Sequence, residues 1–152
     1  MKDPFKKLLA NCKLNGIFQR ADGTWSINSS TNRRRMLGEG NGVGGAPGPN
    51  QKNWKPAKIL IDENDLRRQW EIQKEKCFWF QIPLDLQLLD KKHLDWAPKH
   101  PMAPSVDRID DSKDYMPDNI VICCRFANLG RNVYPFDKTK EMIENIKRSL
   151  CE

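Results

Sequence analysis

The sequence of this 152-residue chain predicts an α+β fold built around one modest core. Three observations favour that class. Apolar residues recur at helical spacing within residues 5–12, at Leu66 and Trp70, and across residues 142–150. A tight-turn signature lies within residues 17–27, and residues 105–131 read as strand, loop, strand and helix. We expect an N-terminal extension over residues 1–61 and the main domain over residues 62–152.

Composition narrows the class of protein. Hydrophobic residues make up 38% of the chain and charged residues 30%, which is typical of a folded domain with a polar surface. No apolar run is long enough to cross a membrane and the N-terminus does not resemble a secretory signal, so we expect an intracellular protein with no membrane partner. The five cysteines form no C-x-x-C pair, and the net charge of +6 is compatible with a polyanionic partner such as DNA.

The extension begins with a predicted helix, because Asp3 can cap it and Pro4 suits its first position. Asp22-Gly23 then predicts a β-hairpin within residues 17–27. Three consecutive arginines follow, and a stretch rich in glycine and proline comes after them, which predicts a flexible linker. The arginines are either a solvated turn or a DNA-contacting arm; they are Arg33, Arg34 and Arg35.

Two further helices are predicted in the main domain. The first follows a short apolar run at residues 59–61 and is capped by Asp62 or Asn64. A β-rich aromatic segment comes next, at residues 77–82, and its aromatic residues are expected in the core. The C-terminal helix is capped by Asp137 or Thr139 and presents one apolar stripe to the domain.

An acidic stretch inside this basic chain carries the predicted chemistry. Residues 105–110 form a strand, a polar turn follows, and residues 119–123 return as a second strand before a helix. In that order, Asp107 on the first strand and Asn128 on the helix can converge above the hairpin. One carboxylate and one amide are too few ligands for Ca²⁺, but they suit Mg²⁺, which keeps waters and takes further oxygens from a phosphate. The implied substrate is a phosphodiester.

The same stretch resembles a known family. "SVDRID", then Tyr115, then "NIV", then Asn128 with Arg131 three residues later, is similar to HNH or His-Me finger nucleases of a phage-type branch. The likeness runs from about Asp62 to Asn132. It implies a ββα-metal core with flanking helices that cleaves DNA with one Mg²⁺ or Mn²⁺ ion. Asp107 and Asn128 would hold the metal, Asn119 would brace the loop and orient the general base, and Arg131 and Arg125 would contact DNA.

The chain departs from that pattern at two places. Arg108 stands where the family has the histidine that serves as general base, and a guanidinium cannot accept a proton near neutrality, although it can hold a phosphate. His100 and Asp110 are the remaining candidates for the base, and Asp110 is alternatively a cap of the polar turn. The two cysteine pairs of related resolvases are half missing, so structural zinc is improbable. Cys77 and Cys124 are expected to pack together as small buried residues.

The sequence therefore predicts a nicking or homing-type endonuclease, encoded by a phage and acting in the cytoplasm of its bacterial host. Arg108 favours a second interpretation, a catalytically silent DNA-binding or virion-associated protein on the same scaffold. A third is Holliday-junction resolution, against which the missing cysteines count. In the fourth, the acidic stretch is merely a polar hairpin loop.

Overall fold

The computed structural model describes residues 3–14, 16–27, 57–90, 99–131 and 134–150. Within these ranges the chain forms four α-helices and two small β-sheets, which confirms the α+β class. Two predicted features lie outside the described residues, namely the glycine-rich linker and the arginines Arg33, Arg34 and Arg35.

The N-terminal part follows the local signals in its sequence. Helix α1 spans Pro4–Cys12, and the Asp3 carboxylate caps it by accepting a hydrogen bond from the Phe5 amide at 3.0 Å. Strands β1 (Ile17–Gln19) and β2 (Trp25–Ile27) pair antiparallel, and the turn between them uses Gly23 at a φ of +81°. Only glycine adopts that backbone conformation without strain.

A third strand joins this sheet from a distance in the sequence. Strand β3 (Lys58–Ile59) pairs parallel with β1, and Ile59 also bridges to Tyr115 in the acidic stretch. Of the apolar run at residues 59–61, only Ile59 belongs to this strand, and the last two residues lie outside it. Backbone bonds from Leu60 to Tyr115 and from Tyr115 to Lys58, both 2.9 Å, tie the N-terminal sheet to the acidic loop.

Helix α2 spans Glu63–Ile72, and of its two predicted caps the structure uses Asp62, in a reciprocal capping box with Asp65. The aromatic segment that follows does not continue as a strand. The Gln81 amide donates to the Cys77 carbonyl at 2.8 Å, and Gln81 has a φ of +59°, so the chain turns tightly here instead of extending. A 3₁₀ turn at Leu86–Asp90 then completes this part of the domain.

The acidic stretch forms the predicted strand, loop, strand and helix. Strands β4 (Pro104–Arg108) and β5 (Ile120–Cys124) pair antiparallel over five positions, with Asp107 opposite Val121. Helix α3 (Arg125–Arg131) follows β5 without an intervening residue. Because no linker separates them, α3 must fold back across the hairpin, and this places its side chains against β4.

Helix α4 (Phe136–Leu150) begins earlier than the sequence predicts. Asp137 therefore lies in its first turn, and neither Asp137 nor Thr139 is its cap. Thr139 is buried within the helix, where its hydroxyl donates to the Pro135 carbonyl at 3.0 Å.

One apolar cluster joins these elements. It includes Phe5 and Leu8 of α1, Leu66 and Trp70 of α2, and most of β5. The Phe5 and Trp70 rings meet edge to face with their centroids 6.1 Å apart. Helix α1 thus shares a core with the main domain. In the part of the chain that the structure describes, none of the helices is both long and apolar enough to span a bilayer.

Candidate functional site

The centre of the candidate site is Asp107, a buried carboxylate near the end of β4. Its exposed fraction is 5%, and both of its oxygens are engaged. Oδ1 accepts hydrogen bonds from Arg131 Nη1 at 2.7 Å and from the Arg108 backbone amide at 2.9 Å, while Oδ2 accepts one from Trp79 Nε1 at 2.9 Å. Burial raises the pKa of the Asp107 carboxyl, and the Trp79 bond and the Arg131 charge oppose that rise. A buried carboxyl with a perturbed pKa is a common feature of functional sites.

Arg131 is the main partner of Asp107 and is not a surface residue. Its side chain is 1% exposed. Besides Asp107, its guanidinium binds the Asp111 carboxylate at 3.1 Å and the Ile109 carbonyl at 3.0 Å. It also lies over the Trp79 indole, 5.4 Å from the ring centroid. The contact between Arg131 and a DNA phosphate therefore stays a prediction, and in this structure the guanidinium is enclosed by protein.

Asn128 lies on the face of α3 that packs on β4. Its Nδ2 donates to the Ser105 hydroxyl at 2.8 Å and to the Val106 carbonyl at 3.0 Å. A carbonyl can only accept a hydrogen bond, so this contact fixes the orientation of the amide and leaves Oδ1 on its other side. No described residue donates to that oxygen. Asn128 thus binds strand β4 at the two residues that precede Asp107, but the structure shows no hydrogen bond between the Asn128 and Asp107 side chains.

Asn119 spans the loop between β4 and β5. It is 5% exposed, and its Nδ2 donates to the carbonyls of Asp110 and Asp114, both at 3.0 Å. Its Oδ1 accepts from the Asp110 amide at 3.0 Å. Both the nitrogen and the oxygen of the Asn119 amide group are thus hydrogen-bonded to the loop. Asn119 therefore holds the loop closed, which is the contact that the resemblance implies for it.

Arg108 is also tied to this loop. Its Nη1 donates to the carbonyls of Asp111 at 2.9 Å and Lys113 at 2.7 Å, and its guanidinium lies over the Tyr115 ring, 5.0 Å from the centroid. Its side chain retains 20% exposure. Arg108 could reach an anion only with its exposed edge, and it is not a proton acceptor.

The two candidate bases have other contacts. The Asp110 carboxylate accepts bonds from the Ser112 amide at 2.9 Å and the Ser112 hydroxyl at 2.6 Å, and these bonds lower the pKa of Asp110. It thus caps the polar turn, which was the alternative to its role as base. His100 lies before β4 begins, and its Nδ1 accepts from the Met102 amide at 3.1 Å.

The predicted packing of Cys77 with Cys124 is confirmed. Their sulfur atoms are 3.9 Å apart, and both residues are fully buried. The hydrogen bond from the Cys124 thiol lowers the pKa of Cys77 to about 6. Hydrogen bonds from backbone amides, chiefly that of Phe80, lower the pKa in the same direction. Phe80 itself packs against the core cluster.

The donor set can be judged against the predicted Mg²⁺ ion. A carboxylate and a free amide oxygen are suitable ligands in kind. However, Arg131 already neutralises Asp107, so a cation could reach this carboxylate only if the guanidinium moved away. Among the described residues, no group of three or more histidine, cysteine, aspartate or glutamate side chains is arranged to hold a metal.

Trp79 and Asp111 are the site residues that sequence reasoning missed. The sequence predicts Trp79 only as a core residue, and it does not distinguish Asp111 from the other acidic residues of the stretch. The local sequence carries no signal for either contact, because each depends on how residues far apart in the chain pack around Arg131. Comparison with protein-family models, with curated proteins and with solved structures gave no match.

Proposed function

We propose that this protein is a metal-dependent endonuclease that acts on DNA, with β4, β5 and α3 as a ββα unit of the His-Me finger type. One observation carries the proposal. Asp107 is a buried carboxylate on β4, and Asn128 of α3 binds the two residues that precede it on that strand, beside a loop closed by the buried Asn119. The resemblance names these same residues, Asp107, Asn128 and Asn119, for its metal ligands and its brace.

The chain's own residues would divide the work in three ways. Asp107 and Asn128 would hold Mg²⁺ or Mn²⁺ once Arg131 releases Asp107. The ion, when bound, supplies positive charge to the phosphate that is attacked. Asn119 keeps the loop in place, and the exposed edge of Arg108 can bind a phosphate oxygen. Asp110 is a weak base because its pKa is lowered, so it fits the task of accepting a proton poorly.

A second function is favoured by the two arginines. Arg108 stands where the resemblance places the general base, and Arg131 forms a nearly solvent-free ion pair with Asp107. Both features suit a catalytically silent protein that binds DNA on the same scaffold. In this case the guanidinium of Arg131 takes over the neutralising role that an ion has in the nuclease.

Nicking of supercoiled plasmid separates the two functions. Wild-type protein is incubated with Mg²⁺, with Mn²⁺ and with EDTA, beside Asp107→Asn, Asn128→Ala and the control Asp137→Asn. Asp137 is an exposed carboxylate on α4 and matches the charge change. Circular dichroism and thermal unfolding establish which variants are folded. The endonuclease proposal expects metal-dependent nicking that falls at least about 100-fold in both site variants and stays unchanged in the control.

Arg131→Gln adds a readout that depends on the metal. If Arg131 competes with the ion for Asp107, this variant reaches half-maximal nicking at a lower Mn²⁺ concentration than wild type. Salt-dependent DNA binding without nicking by any folded protein would select the silent function. Neither binding nor nicking would reject both.

A further inference from the structure

A small cationic pocket lies at the start of β4, away from the contacts of Asp107. It is bounded by α1, β4 and the first residue of α3, and its volume is about 30 Å³. That volume admits one or two groups of the size of a water molecule and excludes a nucleobase. Its polar lining consists of Asn11, Lys99, Ser105 and Arg125.

Two cations of this pocket have no carboxylate partner among the described residues. Among the described residues, Lys99 donates to the Asn11 amide oxygen at 3.0 Å, and neither Lys99 nor Arg125 forms an ion pair with an acid. Lys7 is the third nearby cation, and it differs because it pairs with Asp90. The positive charges of Lys99 and Arg125 therefore face one cavity with nothing in the described structure to balance them.

The pocket destabilises the charged form of Lys99. Burial lowers the pKa of Lys99, and repulsion from Arg125 and Lys7 lowers it further. A protein gains nothing in stability from crowding cations into a partly desolvated pocket. An anion placed between them would reverse each of these unfavourable interactions, and this is the arrangement expected of an anion subsite.

The pocket also has a fixed relation to the candidate site. Ser105 and Asp107 lie two residues apart on β4, so they share a face and are separated by about 6.8 Å along the strand. Helix α3 contacts both residues, through Asn128 and Arg131 respectively. The pocket thus shares strand β4 and helix α3 with the candidate site.

We propose that Lys99 and Arg125 form a subsite for a backbone phosphate of the bound nucleic acid, with Asn11 and Ser105 lining it. The subsite rests on the proposed function for the identity of its ligand, but not for its affinity for a phosphate group. One or two non-bridging oxygens would enter the pocket while the sugar and base stay outside. It binds any sequence, because phosphate contacts position a nucleic acid without reading its bases.

The test compares two double variants that each remove two positive charges. Lys99→Met with Arg125→Gln removes the subsite, and Lys140→Met with Arg148→Gln removes two exposed cations on α4 as the control. Binding of a fluorescein-labelled 20-base-pair DNA is measured by anisotropy over a range of NaCl concentrations. The subsite variant is expected to bind about tenfold more weakly than the control. The slope of log affinity against log salt should fall by about 0.9 for the lost phosphate, and the control should retain the wild-type slope.

A second measurement identifies the source of the phosphate and checks folding. Removing mutually repelling charges should leave the melting temperature of the subsite variant equal to or above that of wild type, so weaker binding would not reflect unfolding. Inorganic phosphate is then added to each protein at constant ionic strength. It should raise the melting temperature of wild type and of the control more than that of the subsite variant.

The outcomes separate the subsite from the proposed function. If wild type binds DNA and the two double variants bind it equally, the subsite is refuted, and the plasmid-nicking assay still decides the proposed function. If wild type binds no DNA while phosphate stabilises it through these two residues, the anion site stands with free phosphate as its ligand, and the proposed function fails. If neither DNA nor phosphate distinguishes the variants, no subsite exists.

Discussion

Replacing Asn119 by alanine should destabilise the acidic loop by an amount that the structure lets us calculate. The substitution removes three hydrogen bonds, two donated to the carbonyls of Asp110 and Asp114 and one accepted from the Asp110 amide. Each such bond contributes about 1 kcal/mol net. We therefore expect the free energy of unfolding to fall by about 3 kcal/mol. If the opened loop lets water reach the freed groups, the loss would be nearer about 1.5 kcal/mol.

Urea denaturation followed by tryptophan fluorescence measures this loss, and an unchanged slope against urea shows that both proteins unfold in the same two-state manner. Asn145→Ala is the matched control, because Asn145 is exposed on α4 and makes a single side-chain bond, with Arg148. It should stay within about 0.5 kcal/mol of wild type.

Asn119→Asp provides a stricter comparison. It keeps the shape and the acceptor, but it turns an oxygen toward two carbonyls that need a donor, so it should lose at least as much stability as the alanine variant. A wild-type stability in either Asn119 variant would refute the view that this side chain holds the loop.

Three further predictions follow from other contacts. Arg131→Met should cost about 3–5 kcal/mol because it leaves the Asp107 carboxylate buried without its counterion, whereas the double variant with Asp107→Asn should be less destabilised than Arg131→Met alone; a urea double-mutant cycle with purely additive losses would contradict this. Ser112→Ala should raise the pKa of Asp110 toward its ordinary value. Because the pKa of Asp110 is lowered in the folded protein, the ionised carboxylate stabilises the turn at pH values above its unfolded pKa, and this stabilisation is lost as the pH falls through the folded pKa. In the variant the loss should occur at a higher pH. Carboxyl ¹³C NMR titration measures the pKa of Asp110 in the two proteins, and an unchanged value would exclude the Ser112 hydroxyl as the cause of the lowered pKa. Leu66→Ala, at a side chain with 0% exposure, should cost about 2–5 kcal/mol in the same urea assay, and a loss below 1 kcal/mol would mean that the core closes around the gap.

Several elements could be predicted because their signals are local. The cap of α1 at Asp3, the hairpin at Gly23 and the amphipathic stripe around Trp70 each depend on residues within a few positions of one another. The aromatic segment was mispredicted for the opposite reason. Its residues favour a strand, yet the chain turns at Gln81, and Trp79 in the same segment donates a hydrogen bond to Asp107.

Taken by itself, the sequence determined the α+β class, the order of strand, loop, strand and helix, and the position of Asp107 on the first of those strands. These follow from chain-local patterns of polarity and turn residues, which act before any distant contact forms. Tertiary structure alone decided the partners of Asp107 and the convergence of Lys99 with Arg125. Both depend on long-range packing, since a carboxylate is neutralised by whichever cation the folded chain brings within a few ångströms of it. The sequence contained Arg131 as one of 26 basic residues, and only the fold of α3 across β4 made it the counterion.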